Sequence, residues 1–220
     1  MIYLGGRGAR GSSGRGGGGE GLSAGDIVST TSYMSERGRF DGDSMLQAFM
    51  DVAEDYGYTV EDIQVAELTG KGQSVLAFFD GENIAFNQSY LSDGVMDSAY
   101  DACVASGFHP GRGNKTGLQA VAAHELGHGL TEAVGAKMGL PALGASGKRR
   151  IDAAADAIVN EARKKTGDRG VVQMASKISK YATYSNAEAI SEAFADVYCN
   201  GSKARKESRA IVSVVDSYLK

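Results

Sequence analysis

The stretch His124-Glu125-Leu126-Gly127-His128 constrains this chain more than any other part of it. On a helix, positions four apart stack on one face, so the two imidazoles converge on one point. Glu125 follows the first histidine directly and is rotated off that face. The flanks are small or apolar: Gln119-Ala120-Val121-Ala122-Ala123 leads in, and Gly127, Gly129 and Leu130 follow. A helix of that composition is threaded through a core. Two histidines and two glutamates (Glu125, Glu132) buried along it are costly without partners or a metal ion. The pattern therefore predicts half of a metal site, with His124 and His128 as ligands. Zinc in a reactive site takes three protein ligands and keeps one position open, and His, His and a carboxylate is one known set. Glu125, beside such an ion without ligating it, is placed to take a proton from bound water.

Length and composition set the frame for that helix. At 220 residues the chain suits one domain with a real core. No apolar run approaches membrane-spanning length, and mean hydropathy is -0.22. A net charge of -4 gives no support for nucleic-acid binding. Cys103 and Cys199 are too few for a disulfide framework and suit a reducing compartment. Residues 1–25 contain eleven glycines and three arginines (Arg7, Arg10, Arg15), with almost nothing apolar after Leu4. Such a segment buries too little to offset its ordering entropy, so 1–25 is expected as a Gly/Arg-rich flexible tail or linker and 26–220 as the folded domain. Met1-Ile2-Tyr3-Leu4 runs straight into glycine, so no signal peptide is expected.

Asp43-Ser44 followed by Met45, Leu46, Phe49 and Val52 predicts an amphipathic helix over 43–56. The stretch 60–68 reads as a short helix or an irregular segment. Apolar runs over 74–79 and 83–87, on either side of Asp80-Gly81-Glu82, predict a β-hairpin. A hairpin beside a metal site either packs on the core or offers an edge to which an extended peptide adds as a strand. Residues 94–106 read as helix, ended by Gly107. His109 follows in the loop Phe108-His109-Pro110-Gly111, and a lone loop histidine is expected to be solvated, outside the site. Thr116-x-x-Gln119 is a capping box that opens the motif helix, and Gly135 or Gly139 closes it ahead of Pro141. Further helices are expected over 148–166, 171–180 and 203–219. The expected class is α+β, mainly helical, with a small sheet or hairpin before the motif helix.

No third histidine follows His128, so the missing ligand has to be a carboxylate from elsewhere. The segment 181–196 offers one. On a helical wheel Glu188, Ser191, Glu192 and Ala195 share a face, while Ile190, Ala193, Phe194 and Val197 lie on the other. Carboxylates at i and i+4 repel unless a cation or hydrogen bonds hold them. A metal and an imidazole supply both, with Glu188 ligating and Glu192 accepting the Nδ1 proton of a ligand histidine. Two other readings compete. Ser185-x-x-Glu188 is also a capping box, which makes Glu188 purely structural. The pair can also be read one turn later, with Glu192 as ligand and Asp196 behind it.

The HELGH motif followed by a distant Glu on another helix resembles the gluzincin metallopeptidases. Tyr181 seven residues before Glu188, with Asn186-Ala187-Glu188 and Glu192-Ala193-Phe194, is similar to the catalytic domain of anthrax lethal factor. It is also similar to the lethal-factor-like domains attached to phage and prophage minor head proteins. The resemblance covers roughly 118–205, with about sixty residues separating His128 from Glu188, more than in lethal factor. It implies a zincin-like fold, Zn²⁺ held by His124, His128 and Glu188, Glu125 as general base, Tyr181 as a catalytic hydroxyl, and Glu192 behind the ligands. The function it implies is a phage- or prophage-encoded zinc metalloendopeptidase acting on a peptide or protein substrate, with phage head proteins among the partners. The expected location is the bacterial cytoplasm or the phage virion. A delivered toxin or effector protease, and a non-catalytic zinc-binding virion module, are the alternatives.

Overall fold

The computed structural model describes residues 3–5, 27–32, 63–68, 74–79, 84–91 and 94–220, the first three stretches as backbone strands only. The helix expected over 43–56 and most of the expected tail lie outside the described residues. The apolar runs around Asp80-Gly81-Glu82 form β4 (Val75–Phe79) and β5 (Ile84–Asn87), antiparallel, with Ala77 opposite Phe86 and Phe79 opposite Ile84. Every residue of both strands is buried, which is why they read as continuous apolar runs and not as alternating ones.

The hairpin sits inside a five-stranded sheet of order β1-β4-β5-β3-β2. Here β1 is Tyr3–Gly5, parallel to β4; β3 is Ile63–Leu68, parallel to β5; and β2 is Ile27–Ser32, antiparallel to β3. Three expectations change as a result. Residues 63–68 are a strand and not a short helix or irregular segment, because β5 and β2, both separated from them in sequence, flank them as pairing partners. Tyr3–Gly5, inside the expected tail, is also a strand, since the apolar Tyr3 and Leu4 precede the glycine tract. The hairpin strands are interior to the sheet, flanked by β1 and β3, so the edges belong to β1 and β2.

Six helices follow among the described residues: α1 (Val95–Ala105), α2 (Gly117–Lys137), α3 (Arg150–Thr166), α4 (Val171–Ser176), α5 (Asn186–Asn200) and α6 (Lys206–Leu219). The class is α+β, mainly helical, as expected. None of these helices is long and apolar enough to cross a membrane. The motif helix α2 starts where the capping box places it. Thr116 Oγ1 accepts from the Gln119 amide at 3.1 Å, and Gln119 Oε1 accepts from the Thr116 amide at 2.9 Å. Its 21 residues end ahead of Gly139, which takes a positive φ of 70°. From Gly117 nearly to Thr131 the helix is buried on every side, against β4 on one side and α1, α3, α5 and α6 around the rest. Leu126 and Leu130 are fully buried there, each contributing about 1.5–3 kcal/mol by burial.

The most extensive helix contact is α2 on α5. Gly127, between the two motif histidines, makes it possible. A Cβ at this position would lie 2.7 Å from Ser191 Cα and 3.2 Å from Ser191 Oγ. The nearest atom is backbone, so the neighbour cannot swing away, and any side chain has to push the helices apart. Gly127→Ala is therefore expected to destabilise the fold by about 1–3 kcal/mol despite the better helix propensity of alanine. Urea unfolding measures this, and a variant as stable as the parent would show that the crossing is not tight.

Candidate metal centre

Two helices and two loops deliver the site. On α2, His124 and His128 lie one turn apart and meet edge-on with ring centroids 5.1 Å apart, both fully buried. The Phe79 ring of β4 runs nearly parallel to His128, at 6.5 Å and 9°. α5 begins at Ser185, whose Oγ accepts from the Glu188 amide at 3.1 Å. This cap fixes the first turn so that the Glu188 side chain turns toward α2. Its Oε2 lies 3.2 Å from His124 Nε2 and 3.4 Å from His128 Nε2. The capping reading and the ligand reading of Glu188 are thus compatible: the amide serves the cap and the carboxylate faces the imidazoles.

Glu192, one turn later, is fully buried and collects three donors. His124 Nδ1 donates to its Oε1 at 2.9 Å, His109 Nδ1 donates to the same oxygen at 3.0 Å, and Ser179 Oγ donates to Oε2 at 2.7 Å. Glu192 therefore stands behind His124 and not in the ligand position. Asp196, weighed above as a group behind it, is turned elsewhere. It accepts from the Arg205 amide at 2.9 Å and from Ser208 Oγ at 2.6 Å, tying α5 to the start of α6.

One nitrogen, one oxygen and one more nitrogen meet at one point. The ligand atoms offered by His124, His128 and Glu188 all lie within 4.8 Å of one another, so the three can hold a metal ion. The bonding around them favours that. Nδ1–H of His124 is committed to Glu192, so Nε2 is the nitrogen left to face a carboxylate oxygen of Glu188. Neither His124 Nε2 nor Glu188 Oε2 makes a hydrogen bond, although both are buried. Two electron-rich atoms held face to face in a dry site call for a proton or a cation between them. Two imidazoles and a carboxylate are a donor set that suits Zn²⁺ among several divalent ions.

Charge in this interface is strongly perturbed. Burial disfavours a charged His124, but the Glu188 carboxylate facing it at 3.2 Å and its bond to Glu192 outweigh that and raise its pKa to about 10. Burial also works against ionised Glu188 and Glu192, yet the imidazoles beside them hold both carboxyls well below the usual range. Glu125 goes the other way. Burial, with Glu188 and Glu192 nearby, pushes its carboxyl up to about 8 against the opposing pull of His124. Both its oxygens are buried without a hydrogen bond. A carboxyl poised near neutrality in such surroundings can both take and release a proton.

Tyr181 is buried and its ring stacks on His124 at 5.9 Å and 20°, within a group that includes Phe108 at 4.9 Å and Tyr184 at 5.2 Å. It lies in a short 3-10 turn, Tyr181–Thr183, and the helix expected over 171–180 ends earlier, at Ser176. Glu132 stands apart from the site and pairs with Arg150 at 2.9 Å. His109 was expected to be solvated; instead it is buried and bonded to Glu192. All three histidines of the chain therefore belong to one cluster. No local signal marked His109, because its partner lies far along the chain. No family model matches the chain, no curated protein matches it, and no solved structure matches it.

Proton occupancy of His124 has a consequence for metal uptake. A metal can use Nε2 only by displacing the proton held there below a pKa of about 10. Apparent zinc affinity is therefore expected to rise with pH between roughly pH 6 and 8, by up to about tenfold per unit for each proton displaced. Competition with a chromophoric chelator across that range reads it, and a flat profile would show that no ligand proton is displaced there.

Proposed function

We propose that this chain is a zinc-dependent metalloendopeptidase of the gluzincin type, with a zincin-like domain, hydrolysing a peptide or protein substrate. The observation that carries the proposal is the meeting of His124, His128 and Glu188 beside a buried carboxyl, Glu125, that is not part of the ligand group. His124, His128 and Glu188 hold the ion. Bound Zn²⁺ supplies Lewis acidity, activating water and polarising the substrate carbonyl.

The chain's own groups do the rest. Glu125 takes the proton of the attacking water and later passes it to the leaving amine. Burial raises its carboxyl above the usual carboxylate range, which favours its taking up a proton. Glu192 holds His124 in the Nδ1–H tautomer and leaves Nε2 for the ion. The Tyr181 hydroxyl donates a hydrogen bond to the developing oxyanion, a role that comes from the resemblance; its ring lies beside His124. The resemblance to head-protein-associated domains makes phage structural proteins the first substrates to try, with host proteins reached by a delivered effector second.

The complete burial of His124, Glu125 and His128 favours a second reading, a structural zinc module without activity. Glu125 weighs against it, since a structural site has no use for an unbonded carboxyl near neutrality.

Zinc content and peptide hydrolysis separate the two. The parent and Glu125→Gln are expected to retain stoichiometric zinc, with hydrolysis abolished in the variant. Glu188→Ala is expected to lose more zinc affinity than the about 10–100-fold typical of an outer partner. Tyr181→Phe is expected to lower kcat by roughly one to three orders of magnitude with zinc unchanged. Zinc-loaded parent protein inert toward a broad peptide library would favour the structural module, and undiminished activity in Glu125→Gln would refute the base.

A further inference from the structure

We infer that His109 is a positioning residue of the metal centre: it shares Glu192 Oε1 with the ligand His124, so the loop over 107–111 sets the orientation of a ligand imidazole. The inference rests on the metal-site reading above and adds to it a residue from a part of the chain that the motif does not include.

The case begins with the carboxylate. Glu192 Oε1 accepts two N–H bonds, from His109 at 3.0 Å and from His124 at 2.9 Å. Its other oxygen is taken by Ser179. A carboxylate with one bonded oxygen can rock about its own axis and carry an imidazole with it. With donors from three separate segments it cannot, and the direction in which it receives His124 Nδ1–H is set.

His109 is itself held from several sides. The Lys180 amide donates to Gly107 O at 3.0 Å, and the Tyr181 amide donates to Phe108 O at 3.1 Å. Beyond the histidine, Tyr100 Oη donates to Pro110 O at 3.2 Å, and Asn200 Nδ2 donates to Gly111 O at 2.7 Å. Gly107 takes a positive φ of 72°, which allows the sharp exit from α1 that brings the loop inward. The imidazole stacks on Tyr100 at 5.4 Å and 11°, and meets Phe108 and Tyr181 edge-on at 4.9 and 5.5 Å. The loop is thus anchored to α1, to α5 and to the turn that carries Tyr181, and it delivers a single N–H to Glu192.

Pure space-filling does not account for this. A phenylalanine would satisfy the stacking on Tyr100 and avoid burying a polar ring. His109 instead leaves its Nε2 buried without a hydrogen bond, a cost accepted in exchange for the Nδ1 contact.

The test is zinc affinity by chelator competition, alongside the thermal midpoint of the metal-free protein, for the parent, His109→Phe, His109→Asn and His109→Gln. Asparagine puts an amide N–H near the place of Nδ1, while glutamine reaches toward Nε2. His109→Phe is expected to lower zinc affinity by about 10–100-fold, with asparagine restoring most of the loss and glutamine less. Adding His109→Phe to Glu192→Gln is expected to cost little further. Parent-like affinity in His109→Phe, equal affinities for asparagine and glutamine, or full additivity with Glu192→Gln would each overturn the role. Should His109→Phe fail to fold, the asparagine and glutamine pair decides alone. A parent protein that takes up no zinc sinks the metal-site reading as well, whereas zinc uptake indifferent to residue 109 sinks only this one.

Discussion

Three imidazoles and three carboxylates share one dry interface between α2 and α5, and such a set coexists only when its members compensate one another. The Glu192 carboxylate is the centre of that compensation. It binds donors from α2, from the loop before α2 and from the turn before α5, so one buried group ties together parts of the chain more than eighty residues apart. Removing it would leave buried N–H groups without an acceptor, which costs more than the bonds themselves contribute. The packing around it obeys the same need. Gly127 lets α2 come close enough to α5 for side chains to meet across the gap. The Ser185 cap then fixes the first turn of α5, from which Glu188 faces the imidazoles.

Much of this was legible because it is written locally. The motif spacing, the Thr116 capping box, the glycine stops at Gly107 and Gly139 and the two apolar runs of the hairpin are each local signals, and the helix ends and strands they predict form at their expected places. That a carboxylate of α5 would meet the two histidines was legible for a different reason: a helix carrying carboxylates on one face and apolar side chains on the other has few ways to pack beside a histidine-bearing helix. The wheel puts Glu188 and Glu192 on the same face, and only the family resemblance favoured Glu188. What escaped the reading depends on distant partners. β3 is a strand because β5 lies beside it, and nothing in Ile63-Gln64-Val65-Ala66-Glu67-Leu68 excludes another conformation. The hairpin is interior because β1 and β3 flank it, so no edge of it is open to an incoming strand. His109 sits in a Gly/Pro loop that looks solvated until its backbone bonds to the 180–181 segment are known.

The register of α5 follows from the division of labour among its acidic residues. Glu188, Glu192 and Asp196 recur every four residues, so they form one stripe. Each serves a different neighbour. Glu188 faces the two imidazoles of α2, Glu192 braces one of them from behind, and Asp196 accepts from Arg205 and Ser208 at the start of α6. Moving the stripe by one turn would bring Glu192 to the imidazoles and the shorter Asp196 behind them. Arg205, with its amide, and Ser208 would then lose their acceptor, and Ser179 and His109 would have to reach one methylene further. The stripe also lets the first carboxylate sit at the helix N-terminus, where the dipole favours negative charge. The carboxylate that meets the two imidazoles is thus selected by the whole set of bonds along the helix, most of which involve neither motif histidine.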